Sequence, residues 1–86
     1  MLDHEEIIKK LGFEITYNDH RKALFYNATI HYIYFKKKNE NREYIYSSSN
    51  RGSYVLSYTE NDNGQYIICY TQNYQKMKTA LENLEV

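Results

Sequence analysis

Cysteine is nearly absent from this chain: Cys69 stands alone among 86 residues. One cysteine cannot close an internal disulfide, so a reducing, cytoplasmic compartment is the simplest setting, and Cys69 reads as a small strand residue. Tryptophan and proline are missing altogether. Net charge is missing too, with 11 basic residues against 11 acidic ones. That balance speaks against a strongly basic nucleic-acid binder, whose affinity comes from neutralised phosphates, and equally against an acidic mimic of DNA. Local patches remain open. No stretch approaches the roughly 20 apolar residues of a membrane span. The opening Met-Leu-Asp-His-Glu-Glu is acidic and polar, unlike a signal peptide. The sequence shows no phosphate-cradling glycine loop, nucleophile elbow or Cys-x-x-Cys pair, and we expect no cofactor. His4, His20 and His31 fall on unrelated elements at no metal-site spacing.

What the chain does have is tyrosine, 11 residues against three phenylalanines. Tyr shares A/T-rich codons with Asn, Ile and Lys, all abundant here, so genome composition accounts for part of the excess. At this length the chain is one domain, 1–86, burying only about 60–65% of its unfolded surface.

The first helix announces itself. Asp3 caps it, Glu6 completes a capping box, and Leu2 and Ile7 occupy the staple positions. Ile7, Ile8 and Leu11 form the apolar stripe, and Gly12 supplies the left-handed stop, with Phe13 placed to pack back on Ile8. A strand is expected over Phe13–Tyr17, then a turn at Asn18-Asp19-His20-Arg21. From Lys22 to Phe35 the chain is continuously β-prone, about 45 Å if one strand, too long for a domain roughly 25 Å across. A bulge, bend or turn is therefore expected near Asn27 and Ala28. Lys36 to Arg42 is a charged loop. Strands follow at Glu43–Ser47, Ser53–Thr59 and Gln65–Thr71. Ser49-Asn50-Arg51-Gly52 and Asn61-Asp62-Asn63-Gly64 both fit a type I turn followed by a glycine bulge. A closing helix spans about Asn73 to Leu84, with Tyr74, Met77, Leu81 and Leu84 as its stripe and Asn73 or Thr71 as its cap. The fold class is α+β: an N-terminal helix, an antiparallel meander of about five strands, and a C-terminal helix packed on the sheet.

Three-residue loops pair residues of like parity. Tyr44 then faces Tyr58, Tyr46 faces Leu56, and Tyr58 faces Ile68. One side of the last three strands collects Tyr44, Tyr46, Tyr54, Tyr58, Tyr66 and Tyr70 with Leu56 and Ile68. The other collects Ile45, Val55, Ile67 and Cys69 among small polar residues. The tyrosine side is either the core beneath the helices or a contact surface. Tyrosine suits protein interfaces and stacks on unpaired bases. Six buried hydroxyls in so thin a core would be hard to satisfy. Lys36, Lys37, Lys38 and Arg42, with Arg51 in a later turn, are either solvated tips or steering charge. If the chain turns back at Asn27, the lysine loop is expected beside His20, Arg21 and Lys22; if it only bends there, the basic loops lie at opposite ends.

The run Glu5-Glu6-Ile7-Ile8-Lys9-Lys10-Leu11-Gly12-Phe13, followed by a strand and then His20, resembles the opening third of HicA-type mRNA interferase toxins. Those begin with a helix ending in glycine, a strand, and a histidine at the start of the next strand. The likeness covers residues 5–26, and Asn18-Asp19 stands where that family has Gly-Ser. It implies an RNA-binding or RNA-cleaving domain with His20 as the catalytic histidine. In size, composition and helix–meander–helix plan, the whole chain also resembles small phage-encoded inhibitors of bacterial defence, anti-CRISPR proteins among them. That likeness implies a stoichiometric binder without chemistry of its own. The leading expectation is thus a non-enzymatic protein that occupies a host protein or ribonucleoprotein complex through its tyrosines and basic loops. RNA work through His20, and a homodimer holding a nucleotide between tyrosine rings, are the alternatives.

Overall fold

A computed structural model describes residues 3–22, 27–61 and 64–84. Seven elements follow in order: α1 (His4–Lys10), β1 (Glu14–Lys22), β2 (Thr29–Lys36), β3 (Arg42–Ser49), β4 (Tyr54–Glu60), β5 (Gln65–Thr71) and α2 (Tyr74–Glu82). The strands form one antiparallel sheet in the order β1-β2-β3-β4-β5, a meander in which each strand pairs with its chain neighbours. Both helices pack on one face of it. The expected α+β architecture is what the chain adopts.

The helices end as their sequences direct. The Asp3 carboxylate accepts the Glu6 N–H at 2.9 Å, and the Asn73 side chain accepts the Lys76 N–H at 3.0 Å. Each bond satisfies an amide that has no partner inside its helix. Gly12 takes φ +85°, a left-handed turn that costs a side-chain-bearing residue about 1–2 kcal/mol. The staple residue Leu2 lies outside the described residues, as do 23–26, 62–63 and 85–86.

The core forms where the helices meet the sheet. Ile7 and Ile8 of α1, Met77 and Leu81 of α2, and Leu84 beyond it pack against Ile33, Phe35, Tyr46 and Leu56, with Phe13 closing one end. Phe13 meets Phe35 edge to face, with ring centres 5.0 Å apart. Burying each such side chain is worth about 1.5–3 kcal/mol, which is what holds two short helices on the sheet.

Two expectations need correcting. Asn18, Asp19, His20 and Arg21 are not a turn but the second half of β1, paired with Ile33, Tyr32, His31 and Ile30. Their polar side chains are accommodated because β1 is an edge strand whose outer side faces water. They also bond locally: Asp19 Oδ1 accepts its neighbour His20's N–H at 2.8 Å, and the Tyr17 hydroxyl donates to Asp19 Oδ2 at 3.1 Å. Of the bulge, bend or turn expected near Asn27, the chain makes a reversal, since Lys22 pairs with Thr29. Because β1 runs straight through to Lys22, Lys36 lies seven ladder steps away, about 23 Å at ~3.3 Å per residue. The two basic loops are therefore at opposite ends of the sheet, and no joint patch forms.

The second correction concerns β5. The β3–β4 turn behaves as its glycine predicts: Gly52 is at φ +93°, and Tyr44 faces Tyr58 while Tyr46 faces Leu56. In β5, Tyr58 faces Tyr66 instead of Ile68, and Leu56 faces Cys69. Ile68 is the extra residue of a β-bulge, and a single inserted residue exchanges the faces of everything after it. Tyr70 is thereby sent to the side away from the helices, opposite Val55, while Cys69 turns towards the core.

Candidate functional site: the helix-free face of the sheet

The tyrosines expected to share one surface are divided by the structure. Tyr46 is core, only 3% exposed, and Tyr44 and Tyr54 pack partly buried against it. Tyr44, Tyr58 and Tyr66 run along the row begun by Phe35, with ring centres 5.3–6.2 Å apart, towards the open edge. The tyrosine side is thus the core side, wet only at its rim, where Tyr66 is 52% exposed. Tyr70 alone of the six lies on the opposite face.

One phenol hydroxyl is fully enclosed there, and it has a partner. His4, 3% exposed at the start of α1, places Nδ1 2.7 Å from the Tyr46 hydroxyl and Nε2 3.1 Å from the Tyr74 carbonyl. A carbonyl only accepts, so Nε2 carries the proton and Nδ1 receives the Tyr46 O–H. The His4 ring also stacks on Tyr74 at 4.0 Å, 16° from parallel. Burial lowers the His4 pKa from its usual value and raises that of the Tyr46 phenol. Among the described residues, no buried side-chain polar atom lacks a partner.

The basic residues are scattered. Arg42 donates to Glu60 at 2.9 Å and lies 4.3 Å from the centre of the Tyr58 ring. That carboxylate raises its pKa further, and its charge is spent on neighbours. Lys36 sits in the register between Glu14 and Glu43. Lys37 and Lys38 are in the loop beyond it, where Asn39 takes φ +69°. Arg51 is at the other end, its side chain donating to the Asn27 carbonyl at 3.4 Å.

His20 stacks on His31 at 4.1 Å, 14° from parallel. His31 in turn donates through Nε2 to Asn18 Oδ1 at 2.6 Å and approaches Glu5 at 3.6 Å. Burial, then the neighbouring His20, lower the His31 pKa. The stacked pair links β1 to β2, and His31 extends the link to Glu5 of α1. A small cleft of about 220 Å³ opens beside it, with His4, His31, Tyr46, Ser48, Tyr54 and Tyr74 among its lining residues. Among the described residues, no group of three or more His, Cys, Asp or Glu is placed to hold a metal ion, and no helix is long and apolar enough to cross a membrane.

The other face of the sheet carries no helix among the described residues. From β1 to β5 one row reads Tyr17, Tyr34, Ile45, Ser57, Ile67. The next reads Asp19, Tyr32, Ser47, Val55, Tyr70. Tyr17 and Tyr34 meet edge-on at 5.2 Å, and Arg21 donates to the Tyr17 hydroxyl at 2.7 Å. Ile67 and Tyr70 are the most exposed large apolar side chains of the described chain, at 68% and 65%. Short serines between tall rings leave shallow recesses; Ser57 is sealed beneath Gln65, which donates to its Oγ at 2.7 Å.

Comparison with protein-family models, curated proteins and solved structures finds no match to this chain.

Sequence reasoning missed Tyr17, Tyr32 and Tyr34. The signal was in β2, where Thr29-Ile30-His31-Tyr32-Ile33-Tyr34-Phe35 carries large residues at both parities. A strand apolar on both sides is covered on both sides or exposes one of them.

Proposed function

We propose that this chain is a non-enzymatic binding protein that inhibits a host protein by stoichiometric contact, in the manner of small phage-encoded inhibitors of bacterial defence. The observation carrying the proposal is the tyrosine-, serine- and isoleucine-rich sheet face left without a helix. Tall, stiff phenol rings alternating with small hydroxyl residues make large contacts at low entropic cost, the chemistry on which binding loops of immune proteins rely. Its charge favours a protein over a nucleic acid. The one arginine on it, Arg21, is tied to Tyr17, and Lys36 is flanked by glutamates, so few cations are free to neutralise phosphates. Tyr32 and Tyr34 form its centre and Tyr70 with Ile67 its rim. Of the residues first singled out, Tyr70 belongs to this face and Tyr66 borders it, while Lys37, Lys38 and Arg51 supply steering charge from the sheet's two ends.

The test is a comparison of two baits. Wild type and a Tyr32→Lys/Tyr34→Lys variant of unchanged circular dichroism are used to capture proteins from host lysate, and any protein retained is assayed for inhibition. The expected result is one stoichiometric partner, inhibited by wild type and lost with the variant. Equal capture by both baits, or a retained partner whose activity is untouched, refutes the proposal.

A further inference from the structure

The two edges of the sheet are built differently. β1 carries Glu14, Asp19, Arg21 and Lys22 in nine residues and has a bulge at Thr16. Charges and bulges of this kind keep an edge from pairing with another chain. β5, Gln65-Tyr66-Ile67-Ile68-Cys69-Tyr70-Thr71, has no charged residue at all. Its outer side has no strand partner among the described residues, so a row of backbone N–H and C=O groups faces outwards.

The four exposed large apolar side chains of the described residues, Tyr66, Ile67, Ile68 and Tyr70, all belong to this one strand. They do not share a face. Tyr66 follows the helix side and Ile67 the other by strand alternation, and the bulge at Ile68 puts Tyr70 on the side of Ile67. A partner lying on either face of the sheet would leave part of the set in water. A strand added alongside β5 covers both sets and also meets the open backbone groups.

We infer that β5 pairs with β5 of a second copy, antiparallel across a two-fold axis, joining two five-stranded sheets into one. Self-pairing suits this strand because an uncharged sequence meets its own copy without like-charge repulsion. It also closes. The other edge is charged, so β5-to-β1 addition into open filaments is opposed and assembly stops at two chains. The area is modest. At roughly 200 Å² per tyrosine, Tyr66 and Tyr70 leave about 230 Å² of each chain exposed, and the isoleucines add to it. Specific interfaces bury about 1,200–2,000 Å² in all, so the expected dimer is concentration-dependent. This inference does not rest on the proposed host partner: pairing through the edge takes up the rim residues Ile67 and Tyr70 and leaves Tyr32 and Tyr34, on β2 three strands further in, uncovered.

Light scattering on purified protein across a dilution series tests it. The expected mass rises from 10.4 kDa towards twice that value with concentration. Ile67→Lys and, separately, Tyr70→Lys, both at exposed positions that the fold does not need, hold the mass at one chain with unchanged circular dichroism. A cysteine scan over residues 66–70 in a Cys69→Ser background then locates the axis. At least one β5 position is expected to form a disulfide-linked dimer on oxidation, and Ser47→Cys on the helix-free face is not. A single-chain mass up to millimolar concentration, association that survives both lysine variants, or cross-linking through Ser47→Cys alone overturns the inference.

Discussion

Replacing Tyr46 by phenylalanine removes one oxygen and leaves the ring in place. That oxygen donates to His4 Nδ1 at 2.7 Å, in surroundings that leave both residues only 3% exposed. The imidazole cannot turn to find another donor, because Nε2 is engaged by the Tyr74 carbonyl and the ring is stacked on Tyr74. A buried acceptor left without its donor costs about 1–3 kcal/mol. Taking 2 kcal/mol against the roughly 4–13 kcal/mol expected of 86 residues, the variant loses a substantial share of its stability. At about 4–8 °C per kcal/mol, the melting temperature falls by about 8–16 °C. Thermal unfolding followed by far-ultraviolet circular dichroism reads this directly. Tyr66→Phe is the control, since its ring is half exposed and its hydroxyl reaches water; it is expected to change stability by less than about 0.5 kcal/mol. If Tyr46→Phe melts with wild type, the hydrogen-bonded His4–Tyr46 pair is not part of the folded state in solution.

Acid provides an independent check on His4. Burial lowers its pKa in the folded chain below the value of about 6.5 in the unfolded chain, so the unfolded state binds the proton more readily. The stability this contributes is complete above pH 6.5 and is lost as pH falls from there through the folded-state value. His31, lowered for the same reason, adds in the same direction, so His4→Gln should reduce the acid sensitivity of denaturant midpoints but not abolish it. Leu81→Ala empties a fully buried position between α2 and the sheet and should cost about 2–5 kcal/mol by urea unfolding; a smaller loss would mean that α2 packs loosely. Asn73→Ala removes the cap of α2 and should cost about 1 kcal/mol, whereas Asn73→Asp should preserve the cap; equal losses in both would assign the effect to something other than capping.

The elements that were legible in the sequence are those whose signals are local. Asp3 with Glu6, Gly12 after Leu11, and Asn73 before the Tyr74–Met77–Leu81 stripe each specify a helix end within a few residues. Gly52 likewise fixed the β3–β4 register. The candidate site was less legible, because its faces depend on counts that local signals do not carry. One extra residue at Ile68 sent Tyr70 to the helix-free side and Cys69 to the core side, and nothing in Ile67-Ile68-Cys69 marks a bulge. β1 was cut short because Asn18 and Asp19 are turn formers in isolation; their strand conformation depends on the ladder with β2, whose paired positions lie 15 and 13 residues away. His4 was unreadable for the same reason: among Asp3, Glu5 and Glu6 it looks solvated, and its partners lie 42 and 70 residues along the chain.

That last separation bears on how the chain assembles. Because the sheet pairs only sequential neighbours, every hairpin can zip with a short closure, and most of its ladder costs little in loop entropy. Attaching α1 to α2 is different: it joins segments near opposite termini and waits until the platform between them exists. Docking of the first helix should therefore be the late event. Substitutions at Ile8 should accelerate unfolding with little effect on the refolding rate, while those at Leu56 in the middle of the meander slow refolding.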